Sequence, residues 1–386
     1  MIEGISQLSK YLIECVKASL DGRIAPPPPD GLDTEAFFAA CEKHSLTPLV
    51  WASLYAAGLE PEASARFAAA QRRELMRSAM QDAAFGRIAA KLEERGVLYM
   101  PLKGFYTRFL YPEPSMRVMS DIDILIRPGD SSAAKEIMES LGFACIRYMT
   151  GDDDKYKKPG LLIEFHRGLD TDGLKDPSHY ADPWKLSEPV SGMCRRMTPT
   201  EAYLYTAAHA KKHFMHHGAG LRTLIDIYLS MKKEPIDREL AHALAREMGM
   251  DRFLCTAERL ALAAFEDAEL TDGEEEVFRF MLESGVLGSD EHYEAAKLLR
   301  AGGEGRVNKA KYFLRLIFPP YEAMAKRDPV LKKAPYLLPF MHVRRWAQLV
   351  FSRRDRVERG LDRFEHTDVE DANRLKSIYR TAGIDE

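Results

Sequence analysis

No stretch of this 386-residue chain approaches the roughly eighteen uninterrupted apolar residues of a membrane span. The opening segment, MIEGISQLSKYLIECVKASL, lacks a basic leader, a long apolar run and a small-residue cleavage site, so it reads as a helix and not as a secretory signal. Cysteine is scarce. Cys15, Cys41, Cys145, Cys194 and Cys255 stand singly. Without a C-x-x-C pair, a cysteine-rich zinc site is not expected, and isolated cysteines fit a reducing compartment. These absences predict a cytoplasmic protein with no transmembrane segment. An excess of one charge is missing too. The 55 Lys and Arg against 59 Asp and Glu leave a net charge of -4, which gives no global attraction for nucleic acid or an anionic membrane.

What is present fits a soluble globular class. Hydrophobic residues make up 46% and charged residues 30%, enough for a sizeable core in two or three domains. Residues 1–95 read as helical, interrupted by Pro26 to Pro29, which no helix interior accommodates. A long Ala- and Arg-rich helix is predicted from about Glu62 to Arg95, stopped by Gly96. Residues 96–195 mix helix and strand signals. Strands are expected at 97–102, 120–126, 144–149 and 160–167, with a short helix from Phe105 to Tyr111 and another ending near Leu141. The Gly151-Asp152-Asp153-Asp154-Lys155 run reads as a solvated polar turn. Residues 196–386 return to helix. The expected fold class is therefore α+β, a small mixed-sheet core flanked by N-terminal and C-terminal helical segments.

The sharpest chemical feature is Ser120-Asp121-Ile122-Asp123-Ile124-Leu125-Ile126. Alternate side chains of a strand share a face, so Asp121 and Asp123 project together while Ile122, Ile124 and Ile126 enter the core. Adjacent carboxylates repel unless a cation lies between them. An all-oxygen ligand set suits magnesium (or manganese), which also binds phosphate oxygens. In Leu161-Leu162-Ile163-Glu164-Phe165-His166-Arg167, Glu164 and His166 share the polar face. If that strand pairs beside the aspartate strand, Glu164 becomes the third carboxylate of a two-metal arrangement. Upstream, Leu102-Lys103-Gly104 marks a strand-to-helix turn. There Gly104 permits close backbone approach to a phosphate, the following helix start favours anions and Lys103 supplies a point charge. Arg117 and Ser120, just before the acidic strand, are further nucleotide-binding candidates.

The L-K-G turn, the R-x-M-S-D-I-D-I-L-I strand and the I-E-F-H-R strand resemble the uncharacterised nucleotidyltransferase family of the polymerase-β-like superfamily. The likeness is strong over Val97 to Arg167, weaker through His209 to Ile227, and returns at Ile317 to Tyr321. It departs from the superfamily at the first turn, where Lys103-Gly104 stands in place of the usual Gly-Ser pair. The resemblance implies a nucleotidyltransferase core. Asp121, Asp123 and Glu164 would be the metal-binding and catalytic acids, and a nucleoside triphosphate such as ATP the donor. Nucleoside monophosphate would pass to an acceptor the sequence does not name, with release of pyrophosphate. A catalytically degenerate nucleotide-binding or regulatory protein on the same fold is the alternative. A toxin-like transferase acting on RNA or protein is another.

Several residues invite a role on the acceptor side. His166 shares a face with Glu164. His209 and His213 have helical i, i+4 spacing but lack the glutamate of H-E-x-x-H, so they are read as facing the cleft and not as a zinc pair. Asp226 lies in the apolar run Leu224 to Tyr228, where a buried acid needs a partner. Arg222, one turn earlier, or a preceding histidine is expected to supply it. The basic, aromatic stretch from Phe340 to Arg354 is expected to pack on the helical domain.

Overall fold

The computed structural model describes residues 5–286, 290–302, 309–328, 330–352 and 369–384. The chain opens with helices α1 (Gln7–Leu20), α2 (Thr34–Lys43), α3 (Thr47–Leu54) and α4 (Pro61–Glu94). Helix α4 starts with Pro61 in its first turn beside Glu62, a favourable opening because proline lacks only an N–H that would have no partner there. It stops at Gly96, whose φ of +64° suits glycine. Its 34 residues span about 50 Å and serve two cores. Phe67 and Ala70 join one, and Ala84, Ile88 and Leu92 join the other.

Among the described residues the strands β1 (Tyr99–Pro101), β2 (Ile122–Ile126), β3 (Ala144–Arg147), β4 (Asp153–Lys158), β5 (Leu161–His166), β6 (Ser187–Ser191) and β7 (Cys194–Met197) form one mixed sheet. Its order is β3-β4-β5-β2-β1-β7-β6. Helix α5 (Gly104–Thr107) follows β1, and α6 (Ser131–Ser140) follows β2. Ile122, Ile124 and Ile126 are at most 1% exposed and pack with Ile163 and Phe165 of β5 against α4 and α6. Burying each such side chain is worth about 1.5–3 kcal/mol. Leu125, on the opposite face, is buried as well, in the second core with Met100 and Leu102. The central strand is thus covered on both sides, and Asp123 alone in it stays partly open.

Two expectations change here. Asp153 and Asp154 begin strand β4 and are buried, so the predicted turn shrinks to the residues before them. The Asp-Asp-Lys-Tyr-Lys-Lys strand buries one aromatic, Tyr156. Its charged side chains make ion pairs, hydrogen bonds to backbone and a cation–π contact of Lys158 with Phe143, so the apolar alternation that betrays a strand is absent. The predicted helix from Phe105 to Tyr111 is a single α turn followed by a 3₁₀ turn, Arg108–Leu110. It is too short for its N-terminus to act as an anion site.

The C-terminal part continues with α7 (Pro199–His216), α8 (Leu221–Lys233), α9 (Arg238–Glu247), α10 (Asp251–Glu266) and α11 (Asp272–Ser284). Further helices cover Asp290–Gly302, Lys309–Ile317, Tyr321–Arg327, Val330–Lys333, Leu338–Ser352 and Val369–Thr381. Helices α1 to α3 and α7 to α11 share the large core on the β1–β2 side of the sheet. The I-F-P-P-Y segment holds the tail: Trp346 Nε1 donates to Ile317 O at 2.9 Å and stacks edge-on against Phe318. Arg353 and Arg354 of the basic stretch lie outside the described residues. Among the described residues no helix is long and apolar enough to cross a membrane.

His44, just past α2, ties the N-terminal helices to α8. Its Nδ1 accepts from Leu221 N–H at 3.1 Å, and its Nε2 lies 3.0 Å from Leu282 O. Leu221 is the first residue of α8, so the imidazole satisfies one of that helix's unpaired N–H groups. Only the neutral ring, protonated on Nε2, can do both. His44 is 2% exposed, and burial pushes its pKa from 6.5 down to about 4. The unfolded chain therefore binds a proton that the folded one refuses. Stability should be full above pH 6.5 and fall as pH drops through the window to about 4, by about 3 kcal/mol. Urea unfolding at neutral and mildly acidic pH tests this. The slope should flatten in His44→Asn, and an unchanged slope would remove His44 from the account.

Candidate active site

Strands β2 and β5 run parallel with Asp123 level with Glu164. The register places both acids on the face turned towards α7 and α8, with His166 two residues further along β5. Asp123 Oδ1 lies 2.6 Å from His166 Nε2, and Oδ2 lies 3.3 Å from Lys103 Nζ. His166 Nε2 is also 4.0 Å from Glu164 Oε2. Donor atoms of Asp123, Glu164 and His166 all fall within 4.8 Å of one another. Burial alone would raise the Asp123 carboxyl, but the Lys103 charge and the His166 hydrogen bond outweigh it and bring the pKa down to about 2. Burial opposes the charge on Lys103, yet Asp123 more than offsets this, so the ammonium is held.

Asp121 stands just before the strand, and its carboxylate accepts from Ser120 Oγ at 3.0 Å. Burial and then the Asp123 charge raise its pKa. Among the described residues no basic side chain reaches salt-bridge distance of Asp121. Burial likewise raises Glu164. Its partner is Lys155 of β4, directly across the antiparallel register, which also reaches Asp153 Oδ2 at 3.2 Å. Lys155 has no signal of its own in the sequence beyond its i, i+2 spacing from Asp153, because the charged composition of β4 reads as a turn. Asp154 is tied to the Arg167 guanidinium at 2.5 Å and to Met149 N–H, so it is structural.

Lys103, Gly104, Arg117, Ser120, Asp121, Asp123, Glu164, His166, His209, His213, Arg222 and Asp226 all line one cavity of about 450 Å³. Lys103 has φ +48° and ψ -120°. That backbone costs a non-glycine residue about 1–3 kcal/mol and concentrates at functional sites. Gly104 follows it, and a Cβ there would collide with Arg117 Nη1. Arg117 does not stand free. Its Nε and Nη2 donate to the two oxygens of Asp226 at 2.8 and 2.6 Å, and Tyr111 Oη adds a third bond at 2.8 Å. Asp226 therefore pairs with Arg117, not with Arg222 or a histidine as its sequence neighbours suggested. Proximity along a helix could not reveal a partner 109 residues away.

Arg222 instead donates to Val118 O at 2.9 Å. With Gln81 Nε2 on Met119 O at 3.1 Å, it pins the loop that delivers Asp121. Among the described residues Arg222 has no carboxylate at salt-bridge distance. Burial, then the Arg117 charge, lowers its pKa. His209 and His213 meet through their Nε2 atoms at 2.9 Å, one donating to the other. Burial lowers both, His213 to about 4. The pair is therefore neutral, and His209 Nδ1 is buried without a hydrogen-bond partner among the described residues.

A family model described as uncharacterised nucleotidyltransferase matches residues 30–266, more than half of the chain. The chain belongs to that family. The matched region of this uncharacterised nucleotidyltransferase contains every candidate residue from Lys103 to Asp226, together with His44. The family supports nucleotidyl transfer as the class of chemistry. One similar solved structure is the solution structure of the antibiotic-resistance factor ANT(2'')-Ia, described as revealing substrate-regulated conformation dynamics. It is 14% identical with a TM-score of 0.34, over 44% of this chain and 92% of that one, a likeness too loose to argue from. No curated protein matches the chain.

Proposed function

We propose that the protein transfers a nucleoside monophosphate from a nucleoside triphosphate, ATP among the candidates, to an acceptor and releases pyrophosphate. The observation that carries this reading is the parallel register that sets Asp123 level with Glu164 at the wall of the cavity. The donor set fits magnesium or manganese: hard carboxylate oxygens, one of them, Asp121, half-buried and, among the described residues, with no basic side chain at salt-bridge distance. Asp121, Asp123 and Glu164 would hold the metal, which when bound supplies charge neutralisation at the phosphates. His166 orients Asp123 through its hydrogen bond. Lys103, the Nη1 of Arg117 beside Gly104, and Arg222 present positive charge to the leaving phosphates. Ser120 and Gly104 shape the approach. Glu164 takes part in deprotonating the acceptor, and the neutral His209–His213 pair forms the acceptor wall.

One feature favours a degenerate, nucleotide-binding relative: Asp123 and Glu164 already carry internal cations, Lys103 and Lys155. A thermal-shift scan of the full chain with each nucleoside triphosphate, with and without magnesium, decides between them when followed by transfer of labelled nucleotide to cell extract. The transferase reading expects stabilisation that needs metal and nucleotide together, about 2.7 kcal/mol at a hundredfold excess over Kd, and label on a product. Metal-dependent binding with no labelled product leaves the degenerate protein. No binding of any triphosphate sinks both.

A further inference from the structure

A second group of metal-ligating side chains lies on α9 and α10, and none of its members lines the cavity described above. His242 projects from α9, while Asp251 and Cys255 sit one turn apart on α10. His242 Nδ1 is 3.0 Å from Asp251 Oδ1 and 3.7 Å from Cys255 Sγ, which is 4.0 Å from Asp251 Oδ1. Tetrahedral zinc with ordinary bond lengths would set the N–O edge at about 3.3 Å and the two sulfur edges at about 3.5 Å. The triangle is already close to that shape with no ion present.

The other ring nitrogen supplies an independent observation. His242 Nε2 lies 3.3 Å from Glu258 Oε2. Glu258 is 6% exposed and fixed by Tyr203 Oη at 2.6 Å and Arg238 Nη2 at 2.8 Å. Held between a hydroxyl and a guanidinium, it faces the Nε2 side of the ring. Nδ1 is hydrogen-bonded to an Asp251 oxygen, with the Cys255 sulfur alongside. A proton bridges the nitrogen and that oxygen at 3.0 Å, and a zinc ion held by the same three donors would displace it. A carboxylate that holds the far nitrogen of a histidine is the usual support of a zinc ligand.

We propose that His242 Nδ1, Asp251 and Cys255 bind one zinc ion, with Glu258 as the positioning residue for His242 and solvent in the fourth place. The bond to sulfur replaces the Cys255 thiol proton, which leaves to solvent, and the bond to nitrogen moves the His242 Nδ1 proton to Nε2, on the side of Glu258. The soft sulfur and the imidazole separate this site by chemistry from the all-oxygen site on the sheet. It joins α9 to α10 across the turn at Gly249.

The test uses the full chain, Zn²⁺ alone as the zinc probe, and Co²⁺ as the spectroscopic one. Wild type and Asp123→Asn should each retain one equivalent of zinc after dialysis, and zinc should protect Cys255 from alkylation. The cobalt form should show a sulfur-to-metal charge-transfer band in the near ultraviolet. His242→Ala and Cys255→Ser should lose the equivalent, and Glu258→Gln should weaken it about 10–100-fold. Unchanged zinc content in Cys255→Ser overturns the proposal. So does a wild-type cobalt form without the sulfur band, or equal alkylation of Cys255 with and without zinc. The last two are read on wild type and do not depend on a variant folding.

Discussion

Asp123→Asn should lower nucleotidyl transfer by about 10³-fold while far-ultraviolet circular dichroism stays unchanged. The carboxylate sits where Lys103 and His166 converge and where the sheet brings it level with Glu164. Asparagine keeps the volume and an oxygen for His166 but removes the charge that holds a divalent cation. Charge stabilisation by a bound metal is worth several kcal/mol. About 4 kcal/mol of it corresponds to about 10³ in rate. Asp121→Asn should act in the same direction. A loss under about tenfold in Asp123→Asn would take Asp123 out of the centre of the reaction.

The second large effect is on stability. Asp226→Ala should destabilise the fold by about 3–5 kcal/mol, read as a shift in the urea midpoint. The pair is buried, with Arg117 10% and Asp226 8% exposed in their side chains, and Tyr111 completes it. Removing the acid strands a guanidinium in a low-dielectric wall, which costs more than the pair contributes when intact. Arg117→Met combined with Asp226→Leu should therefore recover most of the loss, because neither charge then remains. If the single and double variants unfold alike, the cost lies in packing of α8 and not in the stranded charge. Transfer should fall in the double variant regardless, since Arg117 Nη1 beside Gly104 is gone.

Much of the site was legible in the amino-acid order because strands alternate. Ile122, Ile124 and Ile126 entering the core leave Asp123 on the other face, and Ile163 with Phe165 do the same for Glu164. Asp121, outside the strand proper, fits the pattern less closely. The long helix α4 was readable from its composition and Gly96. Strand β4 was not, since charges pairing across a sheet leave no apolar period. The hairpin of β6 and β7 was not legible for a related reason: its strands are short and buried residues stand only at its two ends.

Local pattern, then, determined which residues could meet a metal and which faces were buried, because side-chain direction follows from backbone period alone. Tertiary structure decided who meets whom. The parallel register of β2 with β5, the Lys155 bridge to Glu164, the Arg117–Asp226 pair, the His44 cap on α8 and the His242–Asp251–Cys255 triangle all join separate elements. Those contacts arise when the two cores pack and set the distances. They depend on how whole elements are oriented in space, which a reading of neighbours along the chain does not contain.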